Sequence, residues 1–415
     1  MKDLESKIDS LIKYASTMNN LDEAVSQCEA FAKHYGVITQ SVLDTVQEIN
    51  RITREKQIAM EQQKAAVPQD VKQPSLREQQ TTPVSEQTIT QKSVDHGGEK
   101  TEKTAYVNVE DYKVYTDLLH TLQKQQEAYS PITSSGSLKQ FKFHCQKAVS
   151  TPVNAISPVS PSHLRDKYDR LFNLLKGNPV EVGERRFVAA QQKGGLEFCA
   201  DLLARKFVRQ GEDVVSSNPD AAFAIAAVIA TLWSDFPTLG KLILGHFYKT
   251  CPYLVPYYVP QEGQSDQEYY TALGYEYIDG QREEQDKFLK RMTGVTRLYA
   301  AILISVPRQQ RPNPHGIQYG WKLLASLLNL PPRAEITVTV IYNILDVAGH
   351  AMSQVYGKQF QKLLHILCTN YFSRIQQVTP EGCGGPTVRL DDFLQNSIKK
   401  GRISPPSGQL SPNFW

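Results

Sequence analysis

The 415-residue sequence has few cysteines, no long apolar run and no excess of one charge. Its six cysteines are scattered and form no CxxC pair, which excludes a disulfide framework and a zinc site of that spacing. The longest apolar run, residues 221–233, is too short to span a bilayer and predicts a buried core helix. The N-terminus lacks the apolar stretch of a secretory signal. We therefore expect a soluble intracellular protein, or one attached to larger structures through partners.

The overall charge is close to balanced. The chain has 46 Lys and Arg against 43 Asp and Glu, a net charge of +3. Mixed charge of this kind does not by itself predict nucleic-acid binding. Hydrophobic residues make up 40% of the chain, which is enough to bury a sizeable core.

The common catalytic motifs are missing. The sequence has no P-loop, no GxGxxG after a strand, no GxSxG and no HExxH. A glycine cluster at 381–386 could hold an anion, but a plain loop between helices is the favoured interpretation. His365 and Cys368 have the helical spacing of two metal ligands, yet their apolar neighbours favour a core histidine and a core cysteine. We therefore predict neither an enzyme nor a metal site.

Apolar spacing and composition divide the chain into three parts. Residues 1–62 have apolar positions every three or four residues, which predicts a helical segment, with a short coiled coil as an open alternative. Residues 63–105 are rich in Gln, Thr, Ser, Lys and Glu, which predicts a flexible linker. The dense apolar spacing of residues 106–415 predicts one helical domain.

Several helix boundaries of this domain carry local signals. Ser160 before Pro161 predicts an N-cap followed by the first helical residue, and Gly177 predicts the end of that helix. Residues 195–211 repeat this plan and again end in a glycine. Residues 335–355 are rich in β-branched side chains, but the length of the apolar segment favours a helix. Successive helices with short turns predict an all-α fold, an α-solenoid of antiparallel helix pairs.

Positive charge concentrates near the start of the helical domain. Residues 141–210 contain twelve Lys and Arg against six Asp and Glu. Cations that converge from different helix ends would form a polyanion pocket, because Arg gives bidentate phosphate contacts and Lys gives point charges. A solvated basic face is the alternative and the commoner outcome for such a run. The candidate residues are Lys147, Arg205, Lys206, Arg209, His246 and Lys249.

Aromatic residues suggest two further features. Tyrosines in two segments could stack on the bases of single-stranded RNA, namely Tyr253, Tyr257, Tyr258, Tyr269 and Tyr270. No RNP motif accompanies them, so we expect no strong direct nucleic-acid binding. The terminal Phe414 and Trp415 carry much apolar area, and we expect the C-terminal tail to fold back into a groove.

Four segments occur in an order that is typical of one family: LILGHFYKTCPYLVPYY, LGYEYIDGQREEQDKFLKRMTGVTRLYAAIL, HGIQYGWKLLASLLNL and the terminal SPPSGQLSPNFW. In this order they resemble the carboxy-terminal domain of the Gle-one (GLFG-lethal) family of nuclear-pore mRNA-export factors. The resemblance implies an all-α, HEAT-like fold. It also implies a non-enzymatic activator of a DEAD-box ATPase that remodels messenger ribonucleoprotein at the cytoplasmic face of the nuclear pore.

The resemblance also implies a cofactor and further partners. In fungal relatives inositol hexakisphosphate bridges the factor and the ATPase, and the six candidate residues fall where basic contacts lie. The family pattern has two adjacent lysines before the Cys-Pro pair, whereas here Lys249 is followed by Thr250. The missing lysine removes one phosphate contact, so we expect weaker binding. Further implied partners are an FG-nucleoporin segment, at the far C-terminal part, and translation initiation and termination factors.

The alternative is a scaffold. An α-solenoid of the nuclear pore or of the translation machinery would use the same helices without changing the turnover of an ATPase. An activator would raise that turnover. Direct RNA binding would show the steep salt dependence of phosphate contacts.

Overall fold

The computed structural model describes residues 109–415, apart from 256–258, 260 and 262. The predictions for residues 1–62 and 63–105 lie outside the described residues, as do Tyr257 and Tyr258.

The described part of the chain is built almost entirely of helices, so the all-α prediction is confirmed. In chain order the helices are α1 Val109–Ser134, α2 Lys139–Asn154, α3 Pro161–Leu175, α4 Gly195–Gln210, α5 Ala221–Asp235, α6 Pro237–Thr250, α7 Asp266–Ala272, α8 Gln285–Ile304, α9 Ile317–Asn329, α10 Ile336–Tyr356, α11 Lys358–Ile366, α12 Phe372–Val378 and α13 Gly385–Lys400. The described strands form two short antiparallel hairpins, which the sequence analysis did not predict. They pair β1 Val180–Val182 with β2 Arg185–Phe187, and β3 Tyr277–Ile278 with β4 Gln281–Arg282.

The boundaries of α3 follow the predicted local signals. Ser160 is in an extended conformation and its hydroxyl oxygen accepts a hydrogen bond from the amide of His163 at 3.1 Å. Pro161, which has no amide hydrogen to leave unpaired, is the first helical residue. Gly177 follows the end of the helix with a φ of +77°, a conformation that favours glycine. Both predictions for this helix are confirmed.

The β-branched segment at 335–355 is helical, as favoured. It forms α10, whose side chains are buried around most of the helix. Tertiary burial therefore outweighs the weak strand preference of these residues. The hydroxyl of Thr339 donates to the carbonyl oxygen of Glu335 at 2.8 Å, so this buried polar group is satisfied within the helix itself.

The α-helical part of α4 ends at Gln210, next to Gly211 as predicted, but Gly211 does not act as a left-handed cap. Gly211 has a helical φ of −59°, and the chain continues as one π-helical turn, Gly211–Val215. Glycine is needed here for close packing against α8. A Cβ on Gly211 would lie 2.9 Å from the Cα of Val295, and a Cβ on Gly294 would lie 2.0 Å from the carbonyl oxygen of Gly211.

Helices α2 and α4 lie side by side and point the same way. At one end of the pair, a Cβ on Gly195 would lie 3.0 Å from the Cζ of Phe141. At the other end, the side-chain amide of Gln210 donates to Asn154 at 3.4 Å. Parallel packing of two helices that are separated by one helix in the sequence is the geometry of stacked antiparallel pairs.

Helix α5 forms the centre of the core. Every residue from Ala222 to Trp233 is buried, as the sequence predicted for this apolar run. Within the described part of the chain, none of the helices combines the length and the apolar character needed to cross a membrane.

The C-terminal tail folds back onto the helices, as expected. The ring of Trp415 packs edge to face on Tyr168 with centroids 5.7 Å apart. Ile403 is 4% exposed, and its carbonyl oxygen bonds to the Nδ1 of His350 at 2.9 Å. Apolar contacts at both ends of the tail thus fix it on the domain.

The contact between the π-helical turn and α8 can be tested by Gly294→Ala. The added Cβ meets backbone atoms that cannot rotate away, so we expect a loss of about 1–3 kcal/mol in the free energy of unfolding. Urea denaturation followed by circular dichroism measures this loss. Gly136→Ala is the matched control, because nothing lies within 4 Å of its Cβ. Equal stability of the two variants would contradict the packing described.

Candidate functional site

A single buried carboxylate joins three helices next to the predicted basic residues. Asp201 on α4 is 0% exposed. Its Oδ1 lies 2.7 Å from the Nε2 of His246 on α6, and its Oδ2 accepts from the hydroxyl of Tyr129 on α1 at 2.7 Å. The Nε of Arg205, one turn further along α4, lies 3.2 Å from the same Oδ2. Asp201 therefore fixes α1, α4 and α6 relative to one another.

The surroundings of Asp201 keep it ionised. Burial by itself raises the pKa of this carboxyl, but the hydrogen bond and charge of His246, the hydroxyl of Tyr129 and the charge of Arg205 together hold it below its usual value. The pKa of Tyr129 is raised, first by burial and then by its hydrogen bond to Asp201. The phenol therefore remains a donor to a carboxylate throughout the physiological range.

The C-terminal ends of α4 and α6 are held at one point by Arg291 of α8. Its guanidinium bonds to Glu212, in the turn after α4, and to Glu283. It also donates to the carbonyl oxygen of Gly274 at 2.8 Å. A Cβ on Gly274 would lie 2.6 Å from the carbonyl oxygen of Thr250, the last residue of α6. Helices α4 and α6 therefore run parallel and end together.

This arrangement brings three of the six predicted residues to one end of the layer. Arg205 lies four residues beyond Asp201 and Lys249 three residues beyond His246, so both lie one turn past the contact between their helices. Arg209 lies one turn further along α4. The side chains of Arg205 and Arg209 are 49% and 64% exposed.

The charges of these residues are only partly compensated. Arg209 pairs with the exposed Asp213 at 3.4 Å, a contact that solvent screens. Lys249 is exposed in the last turn of α6 and forms no ion pair with the described residues. Cations at helix C-termini also interact favourably with the helix dipole. The same residues therefore also have a purely structural interpretation.

His246 lies behind this cluster. Its side chain is 7% exposed and its Nε2 is engaged by Asp201, so it does not project toward solvent as the sequence prediction of a phosphate contact requires. The burial of α6 against α4 explains the difference. His246 supports the exposed cations by holding Asp201 and, through it, Arg205.

Lys206 and Lys147 lie toward α2. Lys206 is half-buried and shares the helical face of Gln210, which contacts α2. It also lies three residues before Arg209 and is therefore its neighbour on α4. Lys147 on α2 is exposed, and its Nζ lies 3.5 Å from the Cβ position of Gly183 in the β1–β2 turn. The structure therefore places Lys206 beside Arg209, at the edge of the cluster formed by Arg205, Arg209 and Lys249, and places Lys147 at the hairpin.

Asp201 and Tyr129 are the site residues that the sequence analysis missed. The available signal for Asp201 was its position four residues before Arg205, a spacing that is common on exposed helix faces. Tyr129 lies 72 residues earlier in the chain, and no local pattern connects it to Asp201.

Two other sequence interpretations are changed by the structure. His365 is exposed and Cys368 half-buried, so the prediction of a core histidine is wrong. Tyr253 is 7% exposed and packs on Phe288, which removes it as a platform for stacked bases. Within the described residues, no group of three or more His, Cys, Asp or Glu side chains could hold a metal ion.

The role of Asp201 can be tested by Asp201→Asn. The variant leaves His246 and Arg205 without their anion, so we expect a loss of about 3 kcal/mol in unfolding free energy at pH 7. The folded-state pKa of Asp201 is lowered, so its contribution is complete above the unfolded value near 4 and is lost as the pH falls further.

Urea denaturation at pH 7 and at steps below pH 4 measures this effect. The difference between wild type and Asp201→Asn should shrink over the acidic steps. Asp213→Asn, which removes an exposed partner of Arg209, is the control and should cost less than about 1 kcal/mol. A difference that does not depend on pH would show that Asp201 does not act as a buried anion.

The comparisons with known proteins agree with this fold. The family described as "GLE1-like protein" matches residues 120–368. The "mRNA export factor GLE1" of Rattus norvegicus is 40% identical over 294 residues, which cover 69% of this chain and 42% of the relative. The "mRNA export factor Gle1" of Drosophila melanogaster is 37% identical over 328 residues, which cover 78% of this chain and 48% of the relative. The chain thus spans less than half the length of these relatives.

A solved structure shows the same architecture. The S. cerevisiae complex of Gle1 with the Dbp5 C-terminal domain and IP6 contains a chain that matches with a TM-score of 0.62. The match covers 73% of this chain and 100% of that one, at 17% sequence identity. At 17% identity the match supports only the similarity of the fold. The family match covers more than half of the sequence, and the chain belongs to the GLE1-like family.

Proposed function

We propose that this protein is an mRNA-export factor that binds inositol hexakisphosphate at the end of the α4–α6 layer and presents it to a DEAD-box ATPase. The observation that carries the proposal is the placement of Arg205, Arg209 and Lys249. Asp201 and Arg291 hold α4 and α6 in register, and Arg205, Arg209 and Lys249 all lie past the contact of Asp201 with His246, toward the ends of these helices.

The chemistry of this cluster suits a polyphosphate. Arg205 and Arg209 can each give two N–H donors to a phosphate, and Lys249 adds a mobile point charge. Because Asp201 compensates Arg205 only on one side, the exposed part of its guanidinium remains available to a ligand. The complex of the related yeast protein with IP6 and Dbp5 supports the choice of ligand and partner.

Lys147 and Lys206 extend this proposal as peripheral contacts. Lys206 is the neighbour of Arg209 on α4, so it would bind an outer phosphate of a ligand seated on the cluster, and Lys147 would approach the same ligand from α2. His246 has a positioning role, because it holds Asp201. Thr250 stands where the family pattern has a second lysine, and this predicts weaker binding.

The mechanism is differential binding. The helical domain would bind the two lobes of the ATPase in an open arrangement better than in the closed, RNA- and ATP-bound one. Opening releases RNA and products and so raises turnover. The factor supplies no catalytic residue in this scheme. The phosphate neutralises basic surface on both proteins and joins them.

The proposal also includes the location and the further partners that the family resemblance implies. We place the protein at the cytoplasmic face of the nuclear pore and in the cytoplasm, where it would promote remodelling of messenger ribonucleoprotein. Its far C-terminal part would hold a segment of an FG nucleoporin. Translation initiation and termination factors would be further partners. A scaffold that leaves ATPase turnover unchanged is the outcome that would replace this function.

The proposal predicts the behaviour of the double variant Arg209→Ala/Lys249→Ala. Both side chains are exposed, so the fold should be retained. We expect stimulation of RNA-dependent ATP hydrolysis by inositol hexakisphosphate to fall about tenfold or more, since each charged contact contributes roughly 1.5–3 kcal/mol at most. Steady-state phosphate release by the cognate DEAD-box ATPase measures this.

The control is Lys358→Ala/Lys362→Ala, which removes two exposed lysines from α11. This variant should stimulate ATP hydrolysis as strongly as wild type. If wild type stimulated ATP hydrolysis equally with and without inositol hexakisphosphate, the protein would still be an activator but the proposed binding site would be rejected. If a folded wild-type chain bound the ATPase without stimulating it, the protein would be a scaffold.

The proposal predicts that Thr250→Lys binds inositol hexakisphosphate more tightly. The substitution restores the second lysine of the family pattern beside Lys249, so we expect the dissociation constant for inositol hexakisphosphate to fall about tenfold. Isothermal titration calorimetry with the full chain measures this constant. Thr250→Gln has a similar length without the charge and should bind like wild type. Unchanged affinity of the lysine variant would place the ligand elsewhere.

A further inference from the structure

A second basic surface lies on α2 and the β1–β2 hairpin, away from the α4–α6 cluster. We call it the α2 face and define it by three exposed cations and one exposed ring, which are Lys139, Lys147, Arg185 and Phe143.

Helical spacing places three of these side chains on one stripe. Lys139, Phe143 and Lys147 follow one another at intervals of four residues, so they share a face over about 12 Å of helix. Phe143 is 58% exposed. Its ring therefore stands in solvent between two lysine side chains.

The β1–β2 hairpin lies beside this stripe. The ring of Phe187 on β2 packs on Phe141 and His144 of α2, with centroids 5.4 and 5.9 Å apart. At the other end of the hairpin, the turn at Gly183 lies beside the Nζ of Lys147. The hairpin thus runs along α2. Arg185 pairs with Val182 and shares the hairpin face of Phe187, so it lies next to the stripe, whereas Arg186 pairs with Glu181 on the opposite face.

The α2 face carries an excess of positive charge. Helix α2 contains three lysines and no acidic residue, and the hairpin adds two arginines against Glu181 and Glu184. None of these five cations forms an ion pair with the residues that the structure describes. Lys142 is anchored at the edge of the face, because it donates to the carbonyl oxygens of Thr133 and Ser135.

We propose that the α2 face binds single-stranded RNA. The ring of Phe143 would stack on one base, and Lys139, Lys147 and Arg185 would bind the phosphates that flank it. Stacking on an exposed ring tolerates any base, so the binding would not depend on sequence. It would be weak and sensitive to salt, since phosphate contacts supply most of the free energy of binding.

The surroundings of Phe143 favour RNA over a protein partner. In α2 and the β1–β2 hairpin, all of which the structure describes, Phe143 is the only large apolar side chain that is exposed. A stable protein interface needs a continuous apolar core with a polar rim. One ring among three cations does not supply such a core, but it is sufficient for stacking on one base.

This surface is separate from the proposed polyphosphate site. Lys147 belongs to both assignments, whereas Arg205, Arg209 and Lys249 lie on α4 and α6, outside the α2 face. RNA binding at the α2 face would hold a messenger ribonucleoprotein close to the factor, independently of the ATPase. The inference therefore does not rest on the proposed function.

The test is fluorescence anisotropy of a fluorescein-labelled oligouridylate of about 12 nucleotides with the full chain. We expect Phe143→Leu to weaken binding roughly 5- to 150-fold, because base stacking is lost although the side chain remains apolar. Phe143→Tyr keeps the ring and should bind like wild type. A plot of log affinity against log salt should have a slope of about −2, and Arg185→Ala should reduce its magnitude by about 0.7.

The variant Arg209→Ala/Lys249→Ala separates the two sites and should bind RNA like wild type. Absence of binding by the folded wild-type chain at low salt would overturn the inference. Equal affinity of Phe143→Leu and wild type would also overturn it, since the ring would then not be a stacking platform. If Phe143→Leu left RNA binding unchanged but weakened binding to the ATPase, the α2 face would be a protein-docking surface instead.

Discussion

The hydrogen bonds of Asp201 are the constraint on which the rest of the site depends. This carboxylate is fully buried, so it is stable as an anion only while Tyr129, Arg205 and His246 all contact it. These contacts come from three helices. They therefore fix the lateral positions of α1, α4 and α6 and, with them, the separation of the cations at the helix ends.

The packing around α4 places the basic residues on two surfaces. Helices α4 and α6 run parallel, so their C-terminal turns and the cations on them lie at the same end of the layer. Arg205 and Lys249 belong to that end, where Arg291 donates to the carbonyl oxygen of Gly274, beside the last residue of α6. Lys147 belongs to the neighbouring helix and faces the β1–β2 hairpin. A basic excess that is continuous in the sequence is thus shared between a cluster on α4 and α6 and a stripe on α2.

Local signals predicted the helices better than they predicted the site. The capping residues of α3 and the length of α10 were sufficient to predict those elements. The π-helical turn after Gly211 was not predicted, because a glycine that permits close approach to α8 looks the same in sequence as one that caps a helix. The candidate cations were found from charge spacing alone, but their grouping depends on tertiary contacts. His246 was assigned to the surface for the same reason, since its burial depends on the distant Asp201.

The central claim is that a polyphosphate binds where α4 and α6 end together. Amide hydrogen exchange of the full chain, with and without saturating inositol hexakisphosphate, tests it most directly. The account predicts slower exchange in the last turns of α4 and α6 and in the π-helical turn, Gly211–Val215, with little change in α11 to α13. Protection confined to the α2 face or to the C-terminal helices, or no protection at all, would contradict it.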